Sequence, residues 1–93
     1  MIKEIKRTAQ FKKDYKKAIK QGYKEADFKK VLKYLVEQKP LPEKYRDHAL
    51  QLTKEYKNVR ECHIHPDWLL IYRISKTELI LELIRTGSHS ELF

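Results

Sequence analysis

The sequence has a single cysteine and no long apolar run. Its one cysteine, Cys62, excludes an internal disulfide and a cysteine-rich zinc site, which is typical of a reducing compartment. Because no apolar stretch approaches the roughly 20 residues of a membrane helix and the first residues do not resemble a secretion signal, we expect a cytoplasmic protein without membrane contacts. A chain of 93 residues is expected to form one domain, residues 1–93, with one modest core and no deeply enclosed cofactor site.

The first 39 residues are also short of acidic side chains. They hold thirteen Lys or Arg against five Asp or Glu, whereas residues 40–93 hold eight of each, so the whole formal net charge of +8 lies in the N-terminal part. A basic surface attracts polyanions, either nucleic acid or an acidic protein, by a salt-sensitive force. A lysine-rich face that contacts only solvent is the alternative, and charge alone does not choose between them.

The first half of the chain has helical periodicity after a short strand pattern at Ile2 and Ile5. Thr8 can cap a helix, and Gly22 can end it in a left-handed conformation. A second helix follows from Phe28 to Val36 and stops before Pro40 and Pro42. On the first helix, one face is apolar and the opposite face carries Lys12, Lys13, Lys16, Lys17 and Lys20.

The second half of the chain alternates with the period of two that is typical of strands. In "NVRECHIHP", one face carries Arg60, Cys62 and Ile64, and the other carries Glu61, His63 and His65. A turn at Pro66-Asp67 leads into "WLLIYRI", and Ser75-Lys76-Thr77 connects that strand to "ELILELI". The pattern predicts an α+β fold, with an N-terminal strand and a two-helix hairpin packed on an antiparallel sheet.

The residues that could perform chemistry are concentrated in the second half. Histidine, aspartate and arginine together provide a general base, a general acid and a cation, which are the groups that metal-free RNA cleavage needs. An aromatic side chain could also stack on a nucleotide base. The candidates are His48, His63, His65, Asp67, Arg85 and His89, with Trp68 and Phe93 beside them.

Other interpretations of these residues stay open at this point. His63 and His65 could bind a metal together with Asp67 or His89, although no familiar zinc spacing supports this. Ser88, Ser90 and Cys62 do not lie in a nucleophile motif. Each candidate also has a structural alternative, because Asp67 could initiate the turn, Trp68 could pack in the core, Arg85 could pair with Glu82 or Glu61, and Phe93 could close the edge of the core.

Three segments strongly resemble the YafQ branch of the RelE/ParE superfamily of bacterial toxins. They are "LPEKYRDHAL", "RECHIHPDWLLIYRI" and "ELILELIRTGSHSELF", and the similarity covers nearly the whole chain. The resemblance implies a helical hairpin on a curved antiparallel sheet, in a toxin that is held by an antitoxin in a heteromeric complex. It also implies a ribosome-dependent endoribonuclease that cuts mRNA in the ribosomal A site without a metal or cofactor, leaving a 2′,3′-cyclic phosphate.

The resemblance also assigns roles to the matching residues. His89 corresponds to the general acid, Arg85 to the group that stabilises transition-state charge, and His48 with Asp67 to the candidate bases that His63 supports. Phe93 corresponds to an aromatic that contacts the substrate base, and Trp68 to a residue beside the site that also contacts the substrate. The five helix lysines would dock on ribosomal RNA, and no role is implied for His65. The rival hypotheses are a ParE-like poison of DNA gyrase and a non-catalytic basic module that binds RNA.

Overall fold

The computed structural model describes residues 1–50 and 58–93, which form one five-stranded sheet with helices packed against it. The elements are β1 (Glu4–Arg7), α1 (Ala9–Lys20), α2 (Glu25–Val36), a 3-10 turn (Glu43–Tyr45), β2 (His48–Leu50), β3 (Val59–His65), β4 (Trp68–Ser75), β5 (Ile80–Gly87) and α3 (His89–Leu92). The strand order is β1-β5-β4-β3-β2. The expected α+β fold is confirmed. The sheet is mixed, because β2 to β5 pair antiparallel while β1 runs parallel to β5.

The helix boundaries follow the signals in the sequence. The Thr8 hydroxyl accepts a hydrogen bond from the amide of Phe11 at 2.9 Å and begins α1 as expected. Gly22, with a φ of 102°, follows the last turn of α1. The second helix ends at Val36, and Gln38 with a φ of 55° turns the chain before the first proline is reached. Neither long helix is long and apolar enough to cross a membrane, and no other helix within residues 1–50 and 58–93 is either.

Two apolar clusters lie on the two faces of the sheet. The larger fills the space between the sheet and the helices, and it includes Phe11, Phe28, Val31, Leu35, Cys62, Trp68, Leu70, Tyr72, Leu81 and Leu83. The smaller, on the opposite face, is formed by Val59, Ile71 and Ile84, with Leu50 and Leu92 packed against it. We call this second side the open face of the sheet, because neither α1 nor α2 contributes to its cluster.

The predicted alternation of β3 is confirmed as far as Ile64 and changes at His65. Cys62 and Ile64 face the helices, whereas Glu61 and His63 face the other way. The pairing of β3 with β4 shifts between His63 and His65, as it does at a bulge, and this shift brings His65 round to the helix side. There its Nε2 lies 2.7 Å from Oδ2 of Asp27 on α2. The two histidines therefore do not face one ligand site.

The hairpin between β4 and β5 is longer than the sequence pattern indicated. Strand β5 begins at Ile80, two residues after the expected start at Glu78. Leu79 has a φ of 57°, and its carbonyl accepts a hydrogen bond from the amide of Lys3 at 2.8 Å. The turn therefore anchors the chain just before β1 as well as reversing β4.

Candidate active site

Four of the five candidate catalytic residues lie on the antiparallel part of the sheet or at its turns, and three of them, His48, His63 and Arg85, pair with residues of neighbouring strands. Because directly paired residues share a face, the pairing defines rows that run across the strands. The first row consists of His48, Glu61, Ile71 and Arg85, and the second of His63, Leu69 and Gly87. Neighbouring strands are about 4.8 Å apart, so the backbones at the two ends of the first row are roughly 14 Å apart. The rows place the histidines of β2 and β3 and the arginine of β5 along one band of the sheet.

His48 is held at the start of β2 by the residue before it. The carboxylate of Asp47 accepts hydrogen bonds from the guanidinium of Arg60 at 3.1 to 3.3 Å and from the hydroxyl of Tyr72. Burial and the hydrogen bond to Asp47 raise the pKa of the Tyr72 hydroxyl, so it stays protonated and donates. Nδ1 of His48 lies 2.7 Å from the carbonyl oxygen of Arg46. These contacts leave Nε2 of His48 directed at the neighbouring strand.

Glu61 is a functional candidate that the sequence analysis missed. It is 6% exposed, and its Oε1 lies 3.4 Å from Nε2 of His48 and 3.6 Å from Nε2 of His63. The other carboxylate oxygen, Oε2, is buried and has no hydrogen-bond partner within the described part of the chain. The only signal in the sequence was the position of Glu61 on the same strand face as His63. A buried carboxylate thus joins two histidines that come from different strands.

His63 and Asp67 are linked through the turn between β3 and β4. Nδ1 of His63 lies 3.3 Å from the carbonyl oxygen of Pro66. Asp67 follows in the same turn and is exposed, and its backbone carbonyl accepts a hydrogen bond from the Tyr23 hydroxyl at 3.1 Å. The turn role that the sequence left open for Asp67 is therefore real, and the residue remains exposed to solvent.

Arg85 pairs with Asp14 of α1, a partner that the sequence analysis also missed. Nε and Nη2 of Arg85 donate to the two carboxylate oxygens at 3.0 and 3.1 Å, and the amide of Thr86 donates to the same carboxylate at 3.3 Å. Burial alone would raise the pKa of Asp14, but the hydrogen bonds from Arg85, Gln10 and Thr86 hold it below its ordinary value. Asp14 is the one acidic residue of α1, and this was the sign in the sequence that it could pair with a basic residue.

The end of β5 folds back into α3 through Gly87 and Ser88. A Cβ atom at Gly87 would lie 3.3 Å from Oε1 of Glu91, so a glycine leaves room for the helix to return over the strand. The Ser88 hydroxyl accepts from the amide of Glu91 while the Glu91 carboxylate accepts from the amide of Ser88, which completes a capping box. Lys17 lies 2.7 Å from Glu91, and its contact together with those of Ser88 lowers the pKa of Glu91 to about 2.

His89 and Phe93 lie at the two ends of α3 and are both exposed. Their ring centroids are 5.0 Å apart, and Phe93 keeps 48% of its surface exposed. The structural alternative, in which Phe93 closes the edge of the core, does not apply to this arrangement. The imidazole and the aromatic ring stand together in solvent.

Trp68 does not lie where a substrate contact would need it. The side chain has no exposed surface, belongs to the larger core cluster and stacks on Tyr23 with ring centroids 4.7 Å apart. In this position it offers no surface to a substrate, and the packing role that the sequence left open is the one the structure has. The reason is that Trp68 begins β4 on the helix side, where it stacks on Tyr23 within the larger cluster.

The lysine face of α1 is exposed as the periodicity predicted. Lys12, Lys13, Lys16, Lys17 and Lys20 all face solvent, although Lys17 is also the partner of Glu91. A cleft of about 210 Å³ between this helix and the end of β5 is lined by Lys13, Lys17 and Arg85, among others. The basic face of the helix is therefore continuous with the end of the sheet that carries Arg85.

The comparisons with known proteins decide the family. A family described as the bacterial toxin of type II toxin-antitoxin system, YafQ, matches residues 3–93. The chain belongs to the YafQ family of type II toxins. The resemblance drawn from the three segments is confirmed.

Solved structures and curated relatives agree with that assignment. The chain is 38% identical over 92 residues to the mRNA interferase toxin YafQ of Escherichia coli strain B / BL21-DE3, covering 98% of this chain and 96% of the relative. A metal-bound toxin from Helicobacter pylori is 44% identical, with a TM-score of 0.90 over 100% of both chains. The E. coli DinJ-YafQ complex gives a TM-score of 0.87 at 36% identity, covering 100% of this chain and 99% of that one.

The metal-bound state of that Helicobacter pylori toxin raises the question of a metal site. Within residues 1–50 and 58–93, no three His, Cys, Asp or Glu side chains are grouped as metal ligands. His63 and His65, the pair considered in the sequence, turn to different carboxylates. These two histidines therefore do not form a common metal site.

Proposed function

We propose that this protein is an mRNA interferase, a ribosome-dependent endoribonuclease that cleaves mRNA in the A site by histidine acid-base catalysis. The observation that carries the proposal is the group formed by His48, Glu61 and His63, in which two imidazole rings from different strands lie within 3.6 Å of one carboxylate. Asp67 lies in the turn after β3, Arg85 lies near the end of β5, and His89 begins α3. The names of the E. coli relatives support the substrate class.

The geometry supports a cleavage by the neighbouring 2′-hydroxyl without a metal. A base from the group of His48, His63 and Asp67 takes the proton of the 2′-hydroxyl, and the 2′-oxygen attacks the phosphorus. The guanidinium of Arg85 neutralises the added charge on the phosphorane. The departing 5′-oxygen takes a proton from the His89 imidazolium, which leaves a 2′,3′-cyclic phosphate, and the exposed Phe93 ring stacks on a base to hold the nucleotide.

The basic helix face supports ribosomal docking and inhibition by an antitoxin. Phosphates of ribosomal RNA would be attracted to the exposed lysines of α1, with a strength that falls as salt rises. The E. coli relative has been solved with its antitoxin DinJ, so we propose that a cognate antitoxin binds one copy of this chain in a heteromeric complex. An acidic antitoxin segment would compete for the same basic surface.

The test is primer extension on a reporter mRNA incubated with purified protein, with translating ribosomes present or absent. Wild type should give codon-phased cuts only with ribosomes, and His89→Ala should reduce the cleavage rate by roughly 10² to 10⁴-fold, the range for a general acid. His65→Ala is the matched control, because His65 is also exposed but pairs with Asp27 on the helix side. Uncut mRNA together with inhibited DNA supercoiling would instead identify a gyrase poison.

A further inference from the structure

We propose that Glu61 is a positioning residue that stabilises the protonated form of His48 or His63. This inference rests on the proposed function. No motif used above assigns a role to this residue. It is more deeply buried than the two rings, since the side chains of His48 and His63 are 49% and 19% exposed and that of Glu61 is 7% exposed. A substrate therefore reaches the imidazoles first, and Glu61 acts through them.

The backbone fixes which ring nitrogen of each histidine carries a hydrogen. Nδ1 of His48 faces the Arg46 carbonyl at 2.7 Å, and Nδ1 of His63 faces the Pro66 carbonyl at 3.3 Å. A carbonyl oxygen only accepts, so both Nδ1 atoms must be the N–H donors. In the neutral form each ring then has its lone pair on Nε2, which is the atom that can take a proton from a 2′-hydroxyl.

Both Nε2 atoms lie within 3.6 Å of the same carboxylate oxygen. An ionised carboxylate can only accept hydrogen bonds. When both rings are neutral, the lone pairs of the two Nε2 atoms and of the Glu61 oxygen therefore lie together with no hydrogen between them. A proton on either Nε2 converts that contact into an ion pair, at 3.4 Å for His48 or 3.6 Å for His63. Glu61 thereby stabilises whichever histidine is protonated.

For catalysis, this means that the positive charge which the histidine gains on taking a proton is already balanced by the Glu61 carboxylate. When the O–H bond of the 2′-hydroxyl breaks and an N–H bond forms at Nε2, the imidazolium lies beside a carboxylate instead of in an apolar site. Two of the described residues pair with Glu61 across the sheet. Ile71 of β4 is apolar, and His48 of β2 has a titratable side chain. His63, two residues along β3, supplies the other ionisable ring.

The experiment combines nitrogen-15 histidine spectra of the free protein with single-turnover cleavage on ribosomes, for wild type, Glu61→Gln and Glu61→Asp. Glu78→Gln is the control, because it removes an exposed carboxylate at the β4–β5 turn. We expect Glu61→Gln to change the ring-nitrogen signals of His48 and His63, to leave those of His65 and His89 in place, and to lower the cleavage rate about 10- to 100-fold at unchanged ribosome affinity. Glu61→Asp should restore part of the rate because it keeps the charge.

Two results would overturn the inference. Ring-nitrogen signals of His48 and His63 that are the same in wild type and Glu61→Gln would show that the carboxylate does not act on the rings. Full cleavage by a folded Glu61→Gln variant would show that the link has no catalytic use. If the spectra differ between wild type and Glu61→Gln as expected but wild type cuts no mRNA, the proposed function is overturned separately, because the spectra need neither ribosome nor substrate.

Discussion

Asp14 and Arg85 are 71 positions apart in the sequence, and they share two hydrogen bonds of 3.0 and 3.1 Å at the edge of β5. The guanidinium that the proposed reaction uses is therefore oriented by a residue of α1. Strand β1 pairs with β5 only as far as Leu83. Beyond that point β1 does not cover the edge of β5, and the amide of Thr86 donates a hydrogen bond to the carboxylate of Asp14.

Asp14→Asn should lower the free energy of unfolding by about 1 to 3 kcal/mol at pH 7, because it weakens charge-assisted hydrogen bonds to a partly buried partner. The folded-state pKa of Asp14 is below its ordinary value of 3.8, so the carboxylate stabilises the fold above about pH 4 and loses this effect as the pH falls through the folded pKa. Urea unfolding at pH 7, 5 and 3 measures this. Gln10→Ala, which removes only an exposed hydrogen bond to the same carboxylate, is the control. A difference from wild type that is as large at pH 3 as at pH 7 would contradict the assignment.

Arg85→Ala should affect cleavage and stability together. The substitution removes the partner of an Asp14 side chain that is 9% exposed. We expect a loss of about 10² to 10³-fold in cleavage rate and of about 1 to 3 kcal/mol in stability. Adding Asp14→Asn should restore part of the stability and none of the cleavage. Restored cleavage in the double variant would mean that Arg85 acts only through the fold.

Deleting Phe93 should weaken cleavage while leaving the free energy of unfolding within about 0.5 kcal/mol of wild type. The ring is 48% exposed and contacts the His89 imidazole, so its removal leaves no cavity in either apolar cluster. Thermal unfolding and single-turnover cleavage, run side by side, provide the measurement. Phe28→Ala, in the larger cluster, shows the drop of about 3 to 5 kcal/mol expected for a core ring. A comparable drop on deleting Phe93 would return it to a packing role.

The attachment of α3 should depend on pH through Glu91. Contacts with Lys17 and Ser88 lower the pKa of Glu91 from 4.5 to about 2, so the carboxylate holds α3 above pH 4.5 and releases it only as the pH falls towards 2. In Lys17→Ala the release should begin at a higher pH, whereas Lys16→Ala should match wild type. Amide hydrogen exchange at Leu92 between pH 6 and pH 2 measures the release. Identical profiles for the two lysine variants would exclude the ion pair as the cause.

Charge reversal on the basic face should weaken ribosome binding in a salt-dependent manner. Lys13→Glu with Lys16→Glu removes cations that have no ion-pair partner among the described residues, while Lys17 is left in place to hold Glu91. The slope of the logarithm of the affinity against that of the salt concentration should become shallower. Sedimentation with ribosomes at several salt concentrations measures it, and Lys76→Glu, on the distant β4–β5 turn, is the control. An unchanged slope would leave this face as solvated surface.

Much of the fold could be predicted from the sequence, because local patterns determine its elements. Thr8 and Gly22 bound α1, and the alternation of Cys62 with His63 sets the faces of β3. The parallel pairing of β1 could not be predicted in this way, since it depends on a neighbour more than 70 residues away. The bulge that turns His65 towards Asp27 was also hidden, because a shift of pairing leaves no mark in the residue pattern.

The candidate site, like the fold, could be predicted only in part from the sequence. The motifs identified His48, His63, Asp67, Arg85, His89 and Phe93, all of which the structure leaves partly or fully exposed. Glu61 and Asp14 were missed because each matters through a contact between elements that are distant in sequence. Trp68 was assigned to the substrate by its place in a motif, although it is buried in the larger cluster and stacked on Tyr23. Motifs identify chemistry, whereas packing decides which side chains a substrate can reach.

The ion pair between Arg60 and Asp47 lies on the helix-facing side of the sheet, but it affects the opposite side. It joins the chain before β2 to the helix-facing side of β3, together with Tyr72 of β4. Because strand side chains alternate with a period of two, sliding β3 by one residue would turn Glu61 and His63 into the core and expose Cys62. The ion pair resists that slip, so a substitution at Arg60 would disturb the positions of Glu61 and His63 on the open face without touching any residue there.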